Sequence, residues 1–152
     1  MKPSLLDTNI LLYYFRQDLK WTYINTQYNL QTLSDNVISV VSWGELYALA
    51  LRNGWGERRI KTLNRLSSFF IVADIYEESI LQKYGEIDAY SQGKLSTNPL
   101  PQGISARNMG KNDLWIAATA HVLDIPIITS DNDFDHLNNI YLTVEKIVFP
   151  SV

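Results

Sequence analysis

Short apolar runs, too brief to be helices, punctuate this chain at Ser4–Leu6, Val37–Val41, Phe70–Val72, Ile125–Thr129 and Ile140–Val148. Between them lie longer stretches whose apolar residues recur at helical spacing. Such alternation restricts the fold to the α/β class with a parallel sheet, because successive parallel strands need a crossover and the crossover is usually a helix. The predicted helices begin at Ile10 (to Phe15), around Trp21 (to Leu33), at Trp43 (to Leu51), over Ile60–Phe70, around Ile80–Ile87 (ending near Gly93) and at Asp113. Residues 94–112, with Pro99, Pro101, Gly103 and Gly110, read as a loop.

Acidic residues occupy the joints of this pattern. Asp7 and Asp131 follow apolar runs, and Glu45 and Asp113 fall in predicted first helical turns. In an open parallel sheet, strand ends and helix starts share one edge, and ligands bind there. Two unit charges about 4 Å apart repel by roughly 4 kcal/mol at an effective dielectric near 20, so four gathered carboxylates require protons or cations. With no cysteine and two histidines in the chain, the available donors are hard oxygens. These select Mg2+ or Mn2+, one or two ions, over zinc or copper. Such an ion lowers the pKa of bound water and stabilises charge building on a phosphate, which suits phosphodiester hydrolysis.

The remaining composition is permissive. At 152 residues the chain is expected to be one domain, 1–152, with a core large enough to stand without staples. The first apolar stretch meets Asp7 too early for a signal peptide and no run approaches a membrane span, so a cytoplasmic protein is expected. The net charge of −3 hides a basic cluster, Arg52, Arg58, Arg59, Lys61 and Arg65, which leaves a nucleic-acid partner open.

The acidic positions lie in segments that resemble PIN-domain nucleases. Leu5-Leu6-Asp7-Thr8-Asn9-Ile10 is similar to the family's opening, and Ser39-Val40-Val41-Ser42-Trp43-Gly44-Glu45-Leu46 to its second acidic motif. Asn112-Asp113-Leu114-Trp115-Ile116-Ala117-Ala118 resembles the third and Thr129-Ser130-Asp131-Asn132-Asp133-Phe134 the fourth. The resemblance implies a three-layer α/β/α sandwich around a parallel sheet and Mg2+- or Mn2+-dependent cleavage of single-stranded or structured RNA. For short members it also implies a VapC-type toxin held by a small antitoxin, and a homodimer. Carried over by position, Asp7, Glu45, Asp113 and Asp131 are metal ligands and catalytic acids, Asp133 is an accessory acid, and the Thr8 hydroxyl holds Asp7 or a metal water. Residues 88–112 match least.

Plainer readings compete at each position. Asp7 and Asp113 are natural helix caps, Glu45 a dipole-complementing acid, and Asp131-Asn132-Asp133 a turn. Arg58–Arg65 reads as a solvated face, whereas Arg107 and Lys111 stand closer to Asp113 as phosphate contacts. Tyr13, Tyr14, Trp43, Trp115 and His121 read as packing residues, and His136 as a surface group. The glycines before Lys111 are too far apart for a phosphate loop. A receiver domain lacks its acidic pair and lysine here. An RNA-processing nuclease without antitoxin and a binding-only module remain alternatives.

Overall fold

The structure, a computed structural model, describes residues 3–28, 30 and 35–151. In chain order, β1 (Leu5–Leu6) leads to α1 (Thr8–Arg16) and α2 (Leu19–Tyr28), then β2 (Val37–Ser39), α3 (Val40–Asn53) and α4 (Glu57–Asn64). These are followed by β3 (Ile71–Ala73), α5 (Glu78–Ser91), α6 (Lys111–Leu123), β4 (Ile127–Thr129) and β5 (Val144–Lys146). Among the described residues the five strands form one sheet, ordered β3-β2-β1-β4-β5, with every neighbouring pair parallel.

Alternation along the strands builds the layers. Leu5, Val37 and Ile127 face a core with Ile80, Ile87 and Tyr90 of α5 and Leu114, Ile116 and Ala117 of α6. Their neighbours Leu6, Ile38 and Ile128 face the opposite core with Ile10, Leu11, Leu46, Ala50 and Leu63 from α1, α3 and α4. Consecutive side chains point to opposite sides of a sheet, so covering both faces demands apolar residues in succession, which is why these strands read as continuous runs. The result is the expected three-layer α/β/α sandwich. The chain winds from β1 towards β3, then returns to the other side of β1 with β4, which places the switch point at the carboxyl ends of β1 and β4.

Several sequence expectations shift, and the helix expected over Ile60–Phe70 is instead α4, ending at Asn64, followed by a 3-10 turn at Leu66–Ser68. Val40 and Val41 are helical, because Ser39 caps α3 by accepting from the Val41 amide at 3.1 Å. The cap outweighs the modest strand preference of two valines, and Glu45 consequently stands in the second turn of α3. Later in the chain, α6 begins at Lys111 with Gly110 as its N-cap, so the loop ends at Gly110 and Asp113 is the third helical residue. The last strand shrinks to Val144–Lys146, preceded by a 3-10 turn at Asp135–Leu137. Leu33, expected to close the second helix, lies outside the described residues.

Helix α3 stops at Gly54, whose φ of 61° and ψ of 49° form a left-handed cap with its N–H bonded to Ala50 O. A Cβ there would touch nothing within 4 Å, so the expected cost of Gly54→Ala is conformational alone. It is about 1 kcal/mol, or a melting temperature about 2–4 °C lower. A thermal melt checks it, and an unchanged midpoint would show that the left-handed cap is dispensable.

Candidate active site

Asp7 leaves the end of β1 in extended conformation (φ −67°, ψ 158°) and caps α1. Its amide continues the β1–β4 ladder by donating to Ile128 O at 3.0 Å. Its Oδ1 accepts from the Thr8 amide at 2.8 Å and its Oδ2 from the Thr129 hydroxyl at 2.7 Å. The residue is 4 % exposed. Burial pushes its pKa up to about 6, the Thr129 and Thr8 donors pull against that, and the charges of Asp131 and Glu45 add to the rise.

Thr129 ties two strand ends together. While its hydroxyl donates to Asp7, its oxygen accepts the amide of Asp131 at 3.0 Å, fixing the turn after β4. Asp131 Oδ1 in turn receives the Asp133 amide at 3.3 Å. On the α3 side, the Thr8 hydroxyl lies 2.9 Å from both Glu45 Oε1 and Ser42 Oγ. It has one proton, and a carboxylate only accepts, so the bond from Thr8 goes to Glu45 and the Ser42 hydroxyl supplies the other. Thr8 therefore holds Asp7 through its amide and Glu45 through its hydroxyl, instead of holding Asp7 by the hydroxyl.

Asp113 reaches the same group from the first turn of α6. Burial comes first in raising its pKa to about 7, followed by the charges of Asp7, Asp133 and Asp131 and a side-chain hydrogen bond with Asp133. A helix N-terminus favours an anion by about 0.3–1 kcal/mol, so desolvation and repulsion outweigh the dipole here. Nor is Asp113 the N-cap: Gly110 occupies that position, without a side-chain cap bond.

Asp7, Glu45, Asp113, Asp131 and Asp133 thus come together at the switch point. The ion pairs among the described residues lie elsewhere, at Lys61–Glu57, Lys83–Glu86 and Lys146–Asp135. As the side chains stand, no three His, Asp or Glu of the described residues converge closely enough to hold a metal ion. The donor set nevertheless suits a hard divalent cation. It is all oxygen and anionic, and two of its members are held well above the ordinary carboxylate range by burial and by the charges of the neighbouring carboxylates.

The other candidates divide. Lys111 is exposed in the first turn of α6, while Arg107 is exposed, donates its amide to Ser91 O at 2.7 Å and acts electrostatically on His136. Trp43 is anchored by an Nε1 bond to Leu63 O, and Trp115 packs on Tyr84 with ring centroids 4.2 Å apart. Tyr14 packs against Phe15, Trp21 and Phe70. The Tyr13 hydroxyl lies 3.5 Å from Ser130 Oγ, beside the acidic turn. His136 is not a surface group: it is 8 % exposed, its Nε2 is 2.7 Å from Ser91 Oγ, and burial lowers its pKa to about 4. Sequence reasoning missed Thr129 and Ser42 as site residues. The signal for Thr129 was a hydroxyl on the last strand position, two residues before an acid, where it can accept that acid's amide.

Comparison with known proteins places this arrangement in context. The PIN domain family model matches residues 4–140. The solved structure of VapBC2 from Rickettsia felis, bound to a DNA fragment from their promoter, aligns with a TM-score of 0.71 at 21% identity. The alignment covers 94% of this chain and 97% of that one. VapBC-1 from nontypeable Haemophilus influenzae gives 0.65 at 27% identity, covering 94% and 96%. VapBC-5 from Mycobacterium tuberculosis, of the VapBC family of toxin-antitoxin systems, gives 0.60 at 20%, covering 97% and 100%. No curated protein matches the chain. Because the family match runs from β1 through the acidic turn and beyond, over elements that converge on one carboxylate group, the chain belongs to the PIN domain family.

Proposed function

We propose that residues 1–152 act as a single nuclease domain, a Mg2+- or Mn2+-dependent endoribonuclease that hydrolyses phosphodiester bonds of single-stranded or structured RNA. In this reading it is the toxin of a VapBC-type toxin–antitoxin pair, working in the cytoplasm as a homodimer. The observation that carries the catalytic reading is the gathering of Asp7, Glu45, Asp113 and Asp131 at the sheet's switch point, with two raised pKa values and no cation paired to them among the described residues. Carboxylates whose pKa values are strongly perturbed by burial and by one another cluster at functional sites. The likeness in fold to chains of VapBC structures supports the antitoxin partner.

Asp7, Glu45, Asp113 and Asp131 would hold one or two divalent ions, with Asp133 beside them. When bound, the metal supplies an activated water and neutralises charge developing on the phosphate. The chain's own residues supply the positioning. Thr129 and the Thr8 amide fix both oxygens of Asp7, and the Thr8 hydroxyl fixes Glu45. Asp113, whose pKa burial raises to about 7, would give up its proton on binding a cation. Lys111 and Arg107 flank this edge as contacts for RNA phosphates.

Two outcomes are expected. Cleavage of RNA requires added Mn2+ or Mg2+, disappears in chelator and returns with metal; cleavage that persists in chelator defeats the metal-nuclease reading. Thr129→Val should slow cleavage by about 10- to 100-fold, the usual cost of losing a group that orients a metal ligand. The same variant should raise the Mn2+ concentration for half-maximal rate, and a variant with wild-type metal dependence would deny Thr129 that role. The toxin reading is checked by whether the product of a short upstream reading frame silences cleavage when mixed with this protein.

A further inference from the structure

A second site with anion-binding chemistry lies where the end of α1 meets the start of α4. Arg16, the last residue of α1, and Arg58 and Arg59, in the first turn of α4, border an open cavity of about 490 Å3 that Tyr14, Phe15 and Thr62 also line. All three arginines are exposed, and among the described residues none makes an ion pair. The nearby acids are engaged elsewhere: Glu57 pairs with Lys61 at 3.5 Å, and Asp18 Oδ1 accepts the Trp21 amide at 3.1 Å. The Arg59 guanidinium lies 5.9 Å from the centre of the Trp55 ring, and Trp55 packs on Phe15. Stacking therefore places one guanidinium without neutralising it. Gly56 caps α4 without a side-chain bond, which leaves first-turn amides open as well.

Three unneutralised guanidiniums around one cavity are stabilised by an oxyanion, and the planar arginine fork matches phosphate oxygens two at a time. The cavity volume falls in the range of small-ligand sites, and its aromatic lining offers a base or sugar an apolar contact. The same helix joins this cavity to the acidic group. Helix α1 starts at Thr8, beside the carboxylates, and reaches Arg16 eight residues later, about 12 Å along the axis. Asn9 and Leu12 along it are half-buried and Arg16 is exposed, so the two sites lie about two turns apart on one helix.

We propose that the Arg16/Arg58/Arg59 cavity is a phosphate-binding station for the RNA strand, gripping a backbone phosphodiester a few nucleotides from the bond being cut. The proposal rests on reading the acidic group as the RNA-cutting site. It explains why an acidic chain carries a basic start to α4, on a helix whose mean character is otherwise that of a solvated face.

The test compares the full-length protein with an Arg16→Gln/Arg58→Gln/Arg59→Gln variant, using a long single-stranded RNA and an oligonucleotide short enough to span the acidic site alone. For the long RNA, affinity at low salt should fall on the order of tenfold or more, and the slope of log K against log salt should shrink by about 2, at roughly 0.7 per lost phosphate contact. Binding and cleavage of the short oligonucleotide should stay at wild-type levels. Arg58→Gln alone, a single exposed change, should shrink the slope by about 0.7. It decides the matter if the triple variant melts early. An unchanged slope for long RNA in both variants overturns the proposal. So does an arginine-dependent affinity for polyglutamate with no arginine dependence for RNA, which would give the cavity to an acidic protein partner. A wild type that binds long RNA with the arginine-dependent slope but cuts none in Mn2+ would sink the nuclease reading and leave the cavity as a phosphate grip on bound RNA.

Discussion

Asp7→Asn is expected to lower kcat/KM for RNA cleavage by roughly a thousandfold or more while raising the melting temperature of the metal-free protein. The two effects have one cause. The asparagine is nearly isosteric: its carbonyl oxygen can accept the Thr8 amide as Oδ1 does now, and its amide can donate to the Thr129 hydroxyl in place of the bond that Oδ2 receives at 2.7 Å. What disappears is the charge. Asp7 is almost fully buried and its pKa is raised from 3.8 to about 6. Its ionisation therefore costs the fold on the order of 3 kcal/mol above pH 6, about as much as burying one large aliphatic side chain contributes. A site that keeps such a charge dry, with no cation beside it, is organised for a ligand and not for stability. Equal cleavage by variant and wild type would defeat the catalytic assignment. A variant that melts earlier without metal would show Asp7 to be a structural cap after all.

The acids were legible in the sequence because the chemistry and the fold pattern coincide there. An acid straight after a buried apolar run can hardly avoid the sheet edge, so Asp7 and Asp131 were located by the strands that precede them. Glu45 was found as a residue but put in the wrong turn. The Ser39 cap, three hydroxyl and apolar residues into a strand-like run, converts Val40 and Val41 to helix, and a β-branched run gives no warning of that. The alternative in which Asp113 merely caps its helix was open in the sequence and closes once Gly110 occupies the cap. His136 and Ser91 are 45 positions apart and meet through packing of α5 against the turn after β4, a contact no local pattern encodes. The same holds for Arg16 beside Arg58 and Arg59, whose common cavity depends on how α1 and α4 pack. Periodicity reveals faces of single elements; it does not say which two faces meet.

In the metal-free protein, stability should decline as pH rises from about 4 to about 7, opposite to the usual acid denaturation. Asp7 and Asp113 bind protons more tightly folded than unfolded, with pKa values raised to about 6 and about 7. Their contribution is complete below pH 4 and is lost as each ionises in the fold. His136 opposes them. Its pKa is lowered to about 4, so between pH 4 and 6.5 the unfolded chain takes the proton and stability gains with pH. Two carboxyls against one imidazole leave a net fall from pH 4 to 6. Near pH 6 to 6.5 the Asp113 and His136 effects cancel, and the last decline, to pH 7, belongs to Asp113. Because Asp113 is partly exposed, solvent screening reduces its share. The net change is on the order of 2–3 kcal/mol, several degrees in melting temperature. Saturating Mn2+ binds the ionised carboxylates, so it should raise the melting temperature most at pH 7.5, least at pH 4.5, and flatten the profile between them. Asp7→Asn should remove the decline between pH 4 and 6. A metal-free melting temperature that climbs steadily from pH 4.5 to 7.5, and that Mn2+ leaves untouched, would mean that these carboxyls neither repel one another nor await a cation.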